Sequence, residues 1–313
     1  MAYNFESVTF PSADGKHTVY TEIYTPKNKT ARGIVELSHG MIDHPGRYLT
    51  LIERLTDEGY IFAGHHHLGH GKTAGCEEDL GFFADRGGVE LLIKDMKTVN
   101  RYLRDTYPTL PITLLGHSMG SFIARLYAAK HSSTVNAVII HGTGGPNRLA
   151  PLGKLLAKGM MLVCGKRHRS KFVTNMAIGA YNKKFGKDAP KNCWLSRDSE
   201  IPAVRDKHND PYGNFTFTLS AYLDLFKLVT LSNSKGWYTG YPKNMKTLIM
   251  SGKEDPVGDF GRGVYYVYKR LLVSGCTDVA LKLYEGARHE LHNEINRDEV
   301  FTDILSFLGG VSL

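Results

Sequence analysis

Long apolar runs are missing from this chain. No stretch approaches the ~18 residues that a membrane-spanning helix requires. The most apolar helical candidate, residues 152–164, is interrupted by Gly153, Lys154, Lys158 and Gly159. The first residues, Met1-Ala2-Tyr3-Asn4-Phe5-Glu6-Ser7, have neither a basic region nor an apolar core, so no secretory signal is expected. Cysteine is scarce. Cys76, Cys164, Cys193 and Cys276 are far apart and make no C-x-x-C pair, which argues against a disulfide framework. These absences lead to the expectation of a reducing, cytoplasmic setting. Internal repeats and low-complexity segments are also absent.

The composition that remains is that of an ordinary globular protein. Its 313 residues are 42% hydrophobic and 22% charged, which fits one large α/β domain or one domain carrying an insertion. The net charge of +8 is unevenly placed. Residues 146–207 hold fourteen Lys and Arg against four Asp and Glu, so the rest of the chain is slightly acidic. Such a segment is either a solvated lysine-rich surface or a patch for anionic head groups at a membrane surface. Nucleic acid is not an expected partner, because no binding motif accompanies the charge.

Hydrophobic periodicity organises the chain. Residues 5–11 and 17–25 read as two strands joined at Ser12-Ala13-Asp14-Gly15, where Asp-Gly signals a hairpin. Short apolar strands follow at 33–38, 60–63, 112–115 and 135–140, and helices are predicted at 48–58 and 88–107. Alternating strands and helices imply a mostly parallel sheet covered on both faces, with the hairpin antiparallel at one edge. After Gly142-Thr143-Gly144-Gly145-Pro146 the pattern becomes helical, at 150–164, 171–185 and 217–231. Strands resume at 247–250 and 279–284, and a helix at 298–307 closes the chain. The domain reading is a first part of the core at 1–145, a helical insertion at 146–233, and the rest of the core at 234–313.

The chemistry centres on Gly116-His117-Ser118-Met119-Gly120, a G-x-S-x-G between the strand 112–115 and a helical pattern at 122–130. This is the context of a nucleophile elbow, which forces Ser118 into a strained turn and leaves no room for a Cβ at Gly116 or Gly120. An α/β-hydrolase triad runs Ser, acid, His along the chain. The acid is expected after the strand that follows the insertion, in Ser251-Gly252-Lys253-Glu254-Asp255-Pro256. The base is expected after the last strand, in Gly286-Ala287-Arg288-His289-Glu290-Leu291-His292. Asp255 is preferred over Glu254 and Asp259, and His289 over His292. His289 would act as base, and Asp255 would orient its ring. The oxyanion hole is assigned to the backbone N–H groups of Met41 and Met119. Neither His289-Glu290-Leu291-His292 nor His65-His66-His67 with His70 has convincing metal-ligand spacing, so no metal and no cofactor are expected.

Several motifs resemble one family. His39-Gly40 with His44 and Gly46-Arg47-Tyr48 resembles its H-G-x-x-x-H-x-x-R-Y stretch, Leu68-Gly69-His70-Gly71-Lys72-Thr73 its G-H-G-x-S/T turn, and Gly116–Gly120 its G-H-S-M-G. Ser251–Gly258 and Tyr284–Glu290 resemble its acid and histidine motifs. The chain thus resembles the monoacylglycerol lipase and bacterial lysophospholipase branch of the α/β hydrolases, grouped with the serine aminopeptidase-like hydrolases. Two positions depart from the pattern: His66 stands where the family carries Asp, and Asp43 where it often carries Glu. Trp194-Leu195-Ser196-Arg197-Asp198 and Asn209-Asp210-Pro211 resemble the cap of bacterial members.

The resemblance implies an apolar acyl tunnel under the insertion and hydrolysis of lipid monoesters. Leu155, Met160, Met161, Leu162, Val163, Met176, Phe215, Phe217, Tyr222 and Phe226 are the candidate apolar surface. Alternatives on the same triad are an aminopeptidase or amidase and a thioesterase. An inactive binding protein of the same fold would show a broken triad, and none is visible.

Overall fold

The computed structural model describes residues 3–201 and 210–313. The hairpin forms as β1 (Tyr3–Pro11) and β2 (Thr18–Pro26). It is followed by β3 (Gly33–Ser38), α1 (Leu49–Asp57), β4 (Tyr60–His65), α2 (Gly88–Thr106), β5 (Ile112–His117), α3 (Met119–Lys130) and β6 (Ala137–His141). Between β6 and β7 the described residues contain no strand. They hold α4 (Ala150–Cys164), α5 (Lys171–Thr174), a π-helical turn at Asn175–Gly179, α6 (Ala180–Lys183), α7 (Leu219–Ser232) and α8 (Lys235–Gly240). The chain ends with β7 (Lys246–Gly252), α9 (Arg262–Val273), β8 (Val279–Tyr284) and α10 (Arg297–Gly309).

One eight-stranded sheet runs in the order β1-β2-β4-β3-β5-β6-β7-β8. Only the pairings β1/β2 and β2/β4 are antiparallel, as the hairpin predicts. The elbow strand β5 lies between β3 and β6, parallel to both. Every residue of β3, β4, β5 and β6 is buried, which explains their unbroken apolar runs. Alternation along β3 sends Ile34 to one face and Val35 and Leu37 to the other. On the first face lie α2, α3, α7 and α9, and on the second α1 and α10. The expected single helix at 171–185 is instead interrupted by the π-turn.

Glu36 points from the middle of β3 into the first core and is fully buried. Burial raises its carboxyl to about 8, against a hydrogen bond from Asn100 Nδ2 at 2.6 Å that favours the anion. Among the described residues Glu36 Oε1 and Asn100 Oδ1 have no hydrogen-bond partner. A neutral carboxyl, able to donate as well as accept, suits that pairing. At the ends of β3 and β4, His65, His67 and His70 are buried, and burial pushes His65 down to about 3 and His70 to about 4. His67 lies well below its usual range for the same reason.

The two kinds of group give opposite pH slopes. An acid raised from its ordinary 4.5 to about 8 contributes stability that declines as pH rises through that window. Glu36→Gln keeps the shape without the charge, so its melting temperature should exceed wild type by a few degrees at pH 8 and match it near pH 5. A lower melting temperature at pH 8 would contradict this. Each depressed histidine is left neutral while the unfolded chain protonates, costing roughly 1 kcal/mol per pH unit below ~6.5. The wild-type protein should therefore lose several degrees between pH 7.5 and 5.5 by calorimetry, and a flat profile there would refute the neutral histidine layer.

Candidate active site

Ser118 occupies the turn from β5 into α3 with φ 53° and ψ −118°, a conformation that costs an L-residue of order 1–3 kcal/mol. The turn is held by the Ser118 N–H donating to His141 O at 3.0 Å and by Ser121 Oγ donating to Ser118 O at 2.6 Å. Its glycines are sterically required. A Cβ at Gly116 would lie 2.6 Å from Ala124 Cβ, and one at Gly120 only 1.9 Å from Ser38 O.

The loops after β7 and β8 bring the expected acid and base together. Lys253 N donates to Tyr284 O and Glu254 N to Ala287 O, both at 2.9 Å, lacing the two loops. Gly252 makes this possible, since a Cβ there would sit 2.0 Å from Ala287 O. Asp255, fully buried, accepts from Val257 N at 2.8 Å and Ser251 Oγ at 3.1 Å, and lies 2.9 Å from His289 Nδ1. The rivals stand elsewhere. Glu254 is exposed, and Asp259 is exposed and paired with Arg262 at 2.8 Å. His292 is buried, stacked on Tyr48 at 4.2 Å, and pushed by burial to about 3. The Trp194 ring lies 5.0 Å from the His289 ring.

The loop after β3 carries Met41. Asp43 braces it, accepting from Gly40 N at 3.1 Å, His44 N at 2.9 Å and Tyr48 Oη at 2.7 Å. Tyr48 Oη also lies 2.9 Å from Nδ1 of His117, the residue before Ser118. Burial alone would raise the Asp43 carboxyl, but His117 and the Arg47 guanidinium outweigh it and hold the group well below the usual range. Arg47 reaches Asp43 at 3.1 Å, Glu290 beside His289 at 3.0 Å and Asp210 at 3.7 Å, while His44 meets Asp210 at 3.1 Å. Asn209, the neighbour of Asp210 in the cap-like motif, lies outside the described residues. The two departures from the family pattern are thus both engaged: Asp43 braces this loop, and His66 sits 3.1 Å from Glu22.

Ser118, His289, Met41 and Met119 converge on one cavity of about 120 Å³. Its core wall includes Ile42, Phe122 and Val257, and its other wall Ala177, Ile178, Tyr181, Trp194, Leu225, Phe226 and Val229. Ala177 and Ile178 stand on the π-turn, where such irregularities frequently mark functional sites. The sequence-based apolar surface needs correction. Of its ten residues only Phe226 lines this cavity. Leu155, Leu162 and Val163 face solvent, whereas Phe217 and Tyr222 pack in the core. Apolar periodicity finds a helix's apolar stripe but does not say what covers it. Among the described residues, one group has metal-ligand spacing, and it is not the 65–70 histidines. His117, His141 and His292 have nitrogens within 4.8 Å of one another, all three rings being buried and shifted down by burial.

Comparison with known proteins agrees with this architecture. Residues 29–296 match the family described as serine aminopeptidase, S33. A monoacylglycerol lipase of Mycolicibacterium smegmatis is 27% identical over 96% of this chain and 95% of its own length. The monoglyceride lipase of Homo sapiens is 25% identical over 91% of this chain and 83% of its own. A thermostable carboxyl esterase from Bacillus coagulans, solved with glycerol, superposes with a TM-score of 0.90 at 33% identity over 99% of both chains. With a family match spanning most of its length and a solved relative that superposes over nearly the whole chain, this chain belongs to the serine aminopeptidase S33 family and is a serine hydrolase of the α/β-hydrolase fold.

Proposed function

We propose that the chain hydrolyses carboxylic esters through an acyl-enzyme on Ser118, and that its substrates are lipid monoesters, monoacylglycerols or lysophospholipids. The observation that carries this reading is the 2.9 Å pairing of His289 and Asp255 at an apolar cavity that also holds the strained Ser118. Ser118 Oγ attacks the ester carbonyl while His289 Nε2 takes its proton. His289 Nδ1–H donates to Asp255, which fixes the tautomer and offsets the imidazolium charge. The carbonyl oxygen becomes an oxyanion that the Met41 and Met119 backbone N–H groups receive, each such donor being worth ~10²–10³ in turnover. His289 then protonates the departing alkoxide. Water, deprotonated by the same ring, releases the fatty acid and regenerates Ser118. The helices of residues 146–233 act as the cap that supplies the apolar wall. The names of the lipase and esterase relatives support this substrate class.

A peptidase reading is suggested by the family description. It requires a free carboxylate for the substrate's amino group. The two carboxylates at the cavity wall, Asp43 and Glu290, are both engaged by Arg47. The four free thiols, two of them exposed, support a reducing, cytoplasmic location.

The cap exterior supports a peripheral membrane contact. Leu149, Leu152, Leu155, Leu162 and Val163 form an exposed stripe on and just before α4, with Leu162 90% and Val163 87% exposed. Exposed Lys158 stands on the same helix, and exposed Lys171 follows it in sequence. Apolar side chains over a basic surface suit an interface of anionic lipid, to which each cation adds about 1 kcal/mol.

Two experiments test these statements. Purified protein should turn over long-chain monoacylglycerol in preference to acetyl or butyryl aryl esters and aminoacyl anilides, and Ser118→Ala should lose at least ~10³-fold. A preference for acetyl esters or anilides would overturn the lipid assignment, and retained turnover in Ser118→Ala would overturn the nucleophile. Leu162→Asp with Val163→Asp should weaken flotation with phosphatidylserine vesicles about tenfold or more while leaving butyryl ester hydrolysis unchanged. Equal flotation would remove the membrane contact.

A further inference from the structure

Arg125 has no exposed surface and is among the largest fully buried side chains. It stands in α3, two turns beyond the nucleophile. Among the described residues no carboxylate pairs with it. A buried cation without a counter-ion is expensive unless its donors are satisfied by aimed dipoles. The dipoles here come from two places far apart in sequence. Nη1 donates to Thr143 Oγ1 at 3.2 Å and to Gly144 O at 3.1 Å, where the chain leaves β6 for the inserted helices. Nη2 donates to Asn233 Oδ1 at 3.0 Å and to Ser232 O, where the chain leaves α7. The guanidinium also lies 3.9 Å over the Trp237 ring, whose Nε1 donates to Arg125 O at 3.0 Å.

We infer that Arg125 is a positioning residue that fastens both stems of the cap to the nucleophile helix and so sets the width of the acyl cavity. The stems and the cavity are continuous. Gly144 and Gly145 of the first stem line it, as does Val229, whose carbonyl accepts from Asn233 Nδ2 at 2.9 Å. Thr143 also connects to the elbow, since Ser121 Oγ lies 2.8 Å from its hydroxyl and 2.6 Å from Ser118 O. The planar fork of a guanidinium can hold two stems at once, whereas a lysine presents its donors from a single point. Burial pushes Arg125 down to about 9, which leaves it charged at neutral pH. The cavity's opposite wall, including Ile178, Leu225 and Phe226, therefore sits where these stems place it.

The test uses Arg125→Lys, Arg125→Met and Asn233→Ala in the full chain, with amide hydrogen exchange and ester kinetics. Both Arg125 variants should exchange about fivefold faster or more across 143–149 and 229–236 together, with α2 unchanged. Asn233→Ala, which leaves the charge in place, should loosen 229–236 and keeps the test open if the Arg125 variants do not fold. The cavity-width arm rests on the ester-hydrolase reading. With the stems freed, the ratio of kcat/KM for p-nitrophenyl dodecanoate over p-nitrophenyl butyrate should rise about threefold or more, a change that lost stability alone would not produce. Unchanged exchange in either stem of the Arg125 variants would overturn the clamp, and looser stems with an unchanged ratio would overturn its hold on the cavity. If wild-type protein cleaves neither ester, the proposed function fails, and the exchange data still decide the clamp.

Discussion

The approach of Gly120 to the end of β3 is the contact on which the site depends. With Ser38 O 1.9 Å from where a Cβ would be, α3 can start directly above the sheet only because that position has no side chain. This closeness sets the Ser118 turn at φ 53° and puts Met119 beside the loop that carries Met41. Gly252 plays the same part on the other side of the site, where the Asp255 and His289 loops nearly touch. Two backbone approaches therefore bring residues from four segments of the chain to one cavity.

Around this centre the ionisable groups divide by environment. Asp43 stays charged because Arg47 and His117 face it, while the buried histidines at the end of β4 stay neutral because burial dominates. Arg47 links Asp43, Glu290 and Asp210, so the loop after β3, the histidine loop and the segment before α7 share one guanidinium. Arg125 does the corresponding work at the cap stems, with carbonyls and hydroxyls in place of carboxylates. The proposed catalytic apparatus is local, and the helices between β6 and β7 are joined to it by two buried cations.

The core was legible because its signals are local and periodic. The strand runs, Asp14-Gly15, and G-x-S-x-G each have a conformational cause that acts within a few residues. The positions of Asp255 and His289 followed from the order in which such a fold supplies its loops. The helix Arg262–Val273 is harder to read, because its Tyr- and Val-rich run has strand propensity and is made helical by packing over β7 and β8. The cavity wall was least legible. The apolar stripe at Leu155 and Leu162 faces outward, and the lining from Ile178, Tyr181 and Trp194 depends on a π-turn and on tertiary contacts. Arg125 carries no local sequence signal, since its partners are 18 to 108 residues away.

Everything proposed for the site depends on Ser118 acting as a nucleophile activated by His289 and Asp255. The most direct measurement is peptide mass spectrometry after treatment with a fluorophosphonate. A single phosphonyl adduct on Ser118 is expected, and it should be lost in folded His289→Ala. No adduct on Ser118, or one of undiminished yield in His289→Ala, would contradict it.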